Sequence, residues 1–224
     1  MEKETSMCYN IKYGFLSILK RGWIAMEPEQ NPQQEQKVPM HQALTLYVHD
    51  IVYLLSAMLV VLLLVFRVVV VSGTSMNMTL LDGDYLLLLS NTFYQEPKQG
   101  DIIVISKDSF DNGAAFVKRV IATEGQTVDI DFENGIVYVD GVALQEDYTN
   151  APTTTRGGVQ FPLVVEEGCI FVLGDNRGIS KDSRYTDIGQ VDTREILGKA
   201  IFLMMPGTNR DQQKIDFERI GVIK

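Results

Sequence analysis

The chain is short of the residues that most often carry hydrolytic or metal chemistry. It has two histidines, His41 and His49, and both precede a long apolar run, so the rest of the chain has none. A serine acting as a nucleophile there must find its base in a lysine or a carboxylate. Cysteine also occurs twice, as Cys8 and Cys169. A pair of thiols builds no disulfide scaffold, and no Cys/His cluster has the spacing of a zinc site, so neither a metal nor a cofactor is expected. Surplus positive charge is missing too. Residues 1–71 hold six basic and six acidic side chains, leaving 14 basic against 23 acidic in 72–224, where the whole net charge of -9 sits. A body of that sign repels phosphate backbones, which argues against nucleic acid as a partner and tolerates a neutral or cationic extended peptide. Internal repeats are absent, as is any long helical periodicity after Val71.

What the chain does have is one long apolar run. Residues 51–66, IVYLLSAMLVVLLLVF, are uncharged. As a helix they would span about 24 Å at about 1.5 Å per residue, against a hydrocarbon core of about 30 Å. The apolar character continues past Arg67, which can snorkel to the headgroups, into VVVV. A single-pass membrane helix over 46–68 is expected, bracketed by Asp50 and Arg67, with the lipid bilayer as a partner; a buried core helix is the alternative. A cleaved secretory signal is not expected, because the run starts at Ile51 and no small-x-small site follows it. Charge near its ends does not orient it. Lys37 within 31–50 balances Arg67 within 67–86, although the five basic residues before the run lean towards a cytoplasmic N-terminus. Residues 1–26 read as an amphipathic arm, with Phe15, Leu16, Ile18, Leu19 and Trp23 beside Lys12, Lys20 and Arg21. Such an arm can lie on a membrane surface or stay without a partner. Residues 27–45 read as a polar, proline-marked linker.

Residues 69–224 change pattern to short apolar runs between turn residues. Strands are expected at 84–90, 101–106, 114–125, 169–176 and 195–206. The segment 127–145 alternates, with turn signals at Asn134-Gly135 and Asp140-Gly141 that predict hairpins. The fold class is therefore mainly β, an antiparallel sheet domain, with 126–170 as a smaller β insertion. Residues 148–158, YTNAPTTTRGG, read as an exposed loop.

Within this body, a few places could carry chemistry. Ser75, in VSGTSMNMTLLDGD, is either a turn residue after the apolar run or a nucleophile. In AFVKRVIA, strand alternation turns either Lys118 or Arg119 inward. The segment GDNRGISKDSR, 174–184, follows an apolar strand, and Arg–carboxylate pairs could fold it into a rigid wall.

Taken together, these segments resemble the bacterial type I signal peptidase family. SGTSMNMTLLDGD matches its serine box, usually Gly-x-Ser-Met-x-Pro-Thr-Leu. GDIIVI…FVKRVIATEGQ matches its lysine box, and GDNRGISKDSR matches Gly-Asp-Asn-Arg-x-x-Ser-x-Asp-Ser-Arg almost letter for letter. The resemblance runs over 51–206 in the family's order. It implies a membrane-anchored serine endopeptidase with Ser75 as nucleophile and Lys118 as general base, working through an acyl-enzyme. Ser180 would orient the lysine, Asp182 and Arg184 would brace the site, and Asp175 would pair with Arg119. The oxyanion hole would use the Ser75 N–H, with Gly73 at the position where some members add a serine hydroxyl. Substrates would be secretory preproteins, their signal peptides paired as an extra strand against shallow apolar pockets lined by Val71, Met76, Leu80, Phe116 and Val117. Such pockets suit Ala-x-Ala sites. The catalytic domain would lie outside the cytoplasm and the N-terminus inside. This chain departs from the family with Met78 in place of the box proline, Ala122 for a glycine and Glu124 for a proline. The alternatives are a Ser/Lys peptidase dedicated to a narrow set of surface substrates and an inactive membrane-tethered peptide-binding β-domain.

Overall fold

A computed structural model describes residues 40–107, 110, 113–209 and 214–223. The expected arm, 1–26, and the first part of the expected linker, 27–39, lie outside these residues. Met40–Val65 is one 26-residue helix, α1. Its Tyr47–Val65 segment has a mean hydropathy of 2.4 and no buried residues, long and apolar enough to cross a membrane. The helix starts earlier and ends earlier than the 46–68 of the sequence reading: 40–45 is helical rather than linker, and 66–68 is strand. The physical reason for the second change is Val68, Val69 and Val70. These β-branched side chains fit a pleated ladder better than a helix, and a partner strand stands beside them. Phe66–Val70 forms β1 and pairs antiparallel with β2, Tyr85–Ser90.

The remaining strands of the larger sheet are β3 (Ile102–Ser106), β4 (Ala115–Thr123), β9 (Cys169–Leu173), β10 (Val191–Asp192), β11 (Ile196–Met205) and β14 (Gly221–Val222). Their order is β1-β2-β11-β3-β4-β9-β10, with β14 on β11, and every pairing is antiparallel. A second sheet of β5 (Thr127–Asp131), β6 (Ile136–Val139), β7 (Val142–Ala143) and β8 (Leu163–Val164) runs in the order β7-β6-β5-β8. A two-stranded ribbon joins β12 (Thr208–Asn209) to β13 (Lys214–Ile215). These last strands, like β7, β8, β10 and β14, are two residues long, too short for a period-2 signal to be read from sequence.

The core follows from how each run alternates. In β2, Leu86 and Leu88 point into one cluster with Val71, Met76, Leu80, Ile102, Val104, Ala200 and Leu203. Ile103 and Ile105 of the same β3 strand join a second cluster with Val120, Ile170, Val172, Ile188, Val191 and Ile196. The central strand β3 is thus covered on both faces, which is why IIVI reads as an unbroken apolar run rather than an alternation. A bulge between Val120 and Ala122 in β4 turns both Ile121 and Ala122 into a third cluster, with Phe171, Leu173 and the inner side chains of the smaller sheet. Burying one such Ile, Leu or Phe side chain stabilises the fold by about 1.5–3 kcal/mol.

The segment expected to be an exposed loop, 148–158, is tied down. Thr153 is fully buried, and its N–H donates to Gly135 O at 2.9 Å. Gly135 sits in the β5–β6 turn at φ +71°, and a Cβ there would come within 2.3 Å of Pro152 Cβ and 2.8 Å of Thr153 N. Gly135→Ala should therefore cost about 2 kcal/mol or more, from the left-handed backbone and the clash together. A lowered denaturation midpoint of the full chain in detergent checks this.

Candidate active site

The loop between β1 and β2 closes at its neck, where Val71 N–H donates to Asp84 O and Gly83 N–H to Val71 O, both at 2.8 Å. Inside it, Met76 O accepts from the amides of Thr79 and Leu80 at 3.1 and 2.9 Å, making one turn. Met76 and Leu80 drop into the core at 1% exposure each, which fixes the turn and sets the half-buried Ser75 at its start. Gly73, at φ +95°, gives its N–H to Asp82 Oδ1 at 2.8 Å. The Ser75 N–H has no acceptor among the described residues.

Lys118 and Arg119 are neighbours on β4, so their side chains leave opposite faces of the sheet. Because both faces are covered, both are buried, at 3% exposure each. The sequence posed one inward cation or the other; the structure buries the two. They are compensated differently. Arg119 Nε and NH2 donate to the two oxygens of Asp175 at 2.9 and 2.7 Å, and NH1 donates to Gly100 O at 2.9 Å. Lys118 has no carboxylate at ion-pair distance among the described residues. Its Nζ donates to Ser75 Oγ at 2.9 Å and to Val117 O at 3.0 Å, and lies 5.3 Å from the Phe116 ring centre. Burial lowers the Lys118 pKa from 10.5 to about 8, outweighing the pull of Asp182 and Asp175 in the other direction; Arg184 adds to the lowering. About one amine in ten is then neutral at pH 7, against fewer than about one in a thousand for a lysine in water.

The 174–184 segment forms the wall. Arg184 Nε and NH2 donate to Asp182 at 2.8 and 2.9 Å, with neither side chain exposed to solvent. Arg184 also donates to the carbonyls of Thr155, Arg177 and Ser180, so its donors are spent inside the protein. Asp182 accepts from Gly174 N–H at 3.0 Å.

Several expected contacts land elsewhere. Ser180 is buried and close enough to block a side chain at Gly174, 2.1 Å from an ideal Cβ there. Its hydroxyl donates to Lys181 O at 3.4 Å rather than contacting Lys118, whose Nζ is already satisfied by Ser75 Oγ and Val117 O. Of the expected substrate wall, Val71, Met76 and Leu80 are buried and packed with Leu86 and Leu88, because the turn after Ser75 directs them inward, while Phe116 and Val117 are half-buried. Gly73 cannot offer its amide to an oxyanion while Asp82 holds it. A cavity of about 640 Å³ lined by Leu89, Phe93, Tyr94, Asp101 and Lys199 contains none of the expected site residues.

The sequence reading missed Asn176 and Thr79. Asn176 N–H donates to Ser75 O at 3.0 Å and its Nδ2 to Thr74 O at 2.9 Å, so it holds the backbone around Ser75 directly. Thr79 Oγ1 donates to Asp175 Oδ2 at 2.5 Å. Both lie inside boxes already singled out, and the only available signal was their place there.

A family model described as "Signal peptidase, peptidase S26" matches residues 44–205. The chain belongs to that family. A "Probable signal peptidase I-1" of Synechocystis sp. is 38% identical over 174 residues, covering 73% of this chain and 85% of that one. The "Signal peptidase I" of Bacillus licheniformis is 32% identical over 181 residues, covering 77% and 95%. A solved signal peptidase I from Enterococcus faecalis is 34% identical and covers 47% of this chain and 97% of that chain, with a TM-score of 0.39.

This signal peptidase differs from the box pattern most sharply at Met78. Its φ is +90° and its side chain is 72% exposed. Proline fixes φ near −65°, so the family's proline could not occupy this turn as it stands. The backbone after Ser75 is not loosened by the exchange but committed to the left-handed region, at a cost of about 1–2 kcal/mol for a residue with a Cβ. Of the other departures, Ala122 is buried and Glu124 Oε2 accepts from Gly168 N–H at 2.8 Å. Met78→Gly should stabilise the peptidase by about 0.5–1 kcal/mol, and Met78→Pro should destabilise it by about 2–3 kcal/mol. Urea midpoints in a fixed detergent read both.

Proposed function

We propose that this peptidase removes signal peptides from secretory preproteins with Ser75 as nucleophile and Lys118 as general base. The observation that carries the reading is the 2.9 Å contact between Lys118 Nζ and Ser75 Oγ, in a body that has no histidine. The neutral amine of Lys118 takes the Ser75 proton as Oγ attacks the scissile carbonyl. The uncommitted Ser75 N–H is the donor placed for the oxyanion. The ammonium of Lys118 then gives its proton to the departing amine, leaving the acyl group on Ser75. The regenerated neutral amine activates water, and hydrolysis returns Ser75 with its proton.

An extended substrate has an edge to use. Residues Ala115–Lys118 of β4 pair with β3 on one side, while pairing with β9 begins only at Arg119, so among the described residues the other edge of that half-strand has no strand partner and could take a peptide. The half-buried Phe116 and Val117 are on that half-strand. The apolar helix α1 anchors the enzyme in a bilayer as a single pass, with the N-terminus cytoplasmic and 69–224 outside. The dyad contact argues against an inactive binding domain.

The test is cleavage of a preprotein carrying an Ala-x-Ala site by the full chain in detergent. Ser75→Ala and Lys118→Met should each lower kcat by about a thousandfold or more; substantial activity in either would remove the dyad assignment. The acid limb of kcat/KM should have its midpoint near pH 8, activity rising as Lys118 loses its proton.

A stability signature accompanies this. The folded pKa of Lys118 lies below its unfolded value, so between about pH 8 and 10.5 the unfolded chain binds more protons and folding stability rises with pH. Below pH 8 the buried ammonium costs on the order of 3 kcal/mol. Inactive Lys118→Met should therefore be more stable than wild type at pH 7 by up to that amount. The gap should close towards pH 10.5. Thermal midpoints across pH measure it.

A further inference from the structure

We infer that the segment from Glu146 to Thr153 is a brace for the Ser75–Lys118 pair, with Tyr148 and Asn150 as positioning residues. The inference rests on the assignment of that pair as nucleophile and base. The segment leaves the smaller sheet, which supplies no residue of the pair, and is fastened to the 174–184 wall at successive points. Glu146 accepts from Arg177 NH1 and NH2 at 2.8 and 2.5 Å, and Thr153 Oγ1 accepts from Arg177 NH1 at 2.6 Å. Its far end is held in turn by Gly135 O on the β5–β6 turn.

Two links run from this segment to the reacting atoms. The Tyr148 ring lies 4.0 Å from the guanidinium carbon of Arg119, and its hydroxyl donates to Glu146 Oε1 at 3.1 Å. Arg119 is thus clamped between the ring and Asp175, and Asp175 also takes the Thr79 hydroxyl from the nucleophile's own loop. The second link is Asn150. Its N–H donates to Asp175 O at 3.3 Å and its Nδ2 to Asn176 Oδ1 at 2.6 Å. With its oxygen occupied, Asn176 must turn its Nδ2 to Thr74 O, where it sits at 2.9 Å, while its N–H holds Ser75 O. A carboxamide that lost Asn150 could flip and oppose oxygen to oxygen at Thr74. Asn150 therefore sets the orientation of the group that holds the backbone on either side of the Thr74–Ser75 peptide bond.

The charged groups around Lys118 are Asp175, Asp182, Arg184 and its neighbour Arg119. The Tyr148 ring adds to the hydrogen bonds to Asp175 and Gly100 that keep Arg119 seated against Asp175. If the ring goes, more of the Asp175 charge falls on Lys118 and holds its proton more tightly.

The experiment uses the full chain in detergent with a preprotein substrate and compares Asn150→Ala, Tyr148→Leu and Tyr148→Phe. Asn150 is exposed, so its truncation spares the core. Asn150→Ala and Tyr148→Leu should each lower kcat about tenfold with KM within about twofold. Tyr148→Phe keeps the ring on Arg119 and should recover most of the rate. Tyr148→Leu should also move the acid limb of kcat/KM to higher pH, which a loss of folded protein would not do. An unchanged kcat in both truncations would overturn the inference. So would a loss that follows the thermal midpoint alone, with KM, kcat per folded enzyme and the pH limb unmoved. Should Ser75→Ala or Lys118→Met remain active, the dyad assignment falls, and that result is separate from either outcome here.

Discussion

Two adjacent cations on a strand whose faces are both covered must be accommodated without water. A strand sends Lys118 and Arg119 to opposite sides, and the sheet leaves neither side open. Guanidinium cannot give up its proton in a protein, so Arg119 needs a carboxylate in bidentate contact, and Asp175 supplies it. An ammonium has a second route, which is to become neutral. Lys118 is given a hydroxyl and one carbonyl but no carboxylate contact among the described residues, so burial pulls its pKa down to about 8 and makes proton loss accessible near neutral pH. The same covered strand thus makes one residue a fixed structural charge and leaves its neighbour the amine suited to the proposed role of base. Exchanging the two would place beside the serine a cation that cannot lose its proton.

Around that asymmetry the wall is a polar core rather than a surface. Arg184 and Asp182 are fully buried together, Arg177 and Glu146 nearly so. Taking such charges from water is expensive, and a well-packed apolar replacement is often no less stable, whereas deleting one partner costs about 3–5 kcal/mol. What the pairs provide here is direction. Arg184 donates to the carbonyls of Thr155, Arg177 and Ser180 at once, and Arg177 to that of Gly174. A segment with two glycines, Gly174 and Gly178, and no regular secondary structure is thereby held in one conformation. Hydrophobic packing, being non-directional, could not do that for a chain that must present Asn176 to the backbone of Ser75.

The sequence made the sheet strands legible wherever alternation or an unbroken apolar run exceeded about four residues, and it marked both hairpin turns through Asn134-Gly135 and Asp140-Gly141. The end of α1 was not legible, because FRVVV is apolar enough for a membrane helix and only its β2 partner decides for strand. The burial of Met76 and Leu80 was hidden for a similar reason: period-2 reasoning does not apply inside a single turn. The wall announced itself through its density of Asp, Arg and Ser. Its brace did not. Glu146, Tyr148 and Asn150 look like an ordinary polar loop until the arginines and the asparagine they meet, 26 to 31 residues downstream for Asn176 and Arg177, are brought alongside. Family resemblance named Ser75 and Lys118, but the conformation at Met78 could only be seen in the backbone.

The direct passage from α1 into β1 has a consequence of its own. Val65 ends the helix and Phe66 begins the ladder, so no slack chain lies between them. Ser75 is ten residues beyond the helix end, which at about 3.3–3.6 Å per residue limits its separation to about 35 Å even if the chain were straight. Half of that path is locked in register with β2. With α1 in a bilayer, Ser75 would be held at a nearly constant height above the lipid, and under the proposed function height would become a selection rule. A scissile bond too deep in the headgroups or too far out on a mobile tail would then miss the serine regardless of its flanking residues.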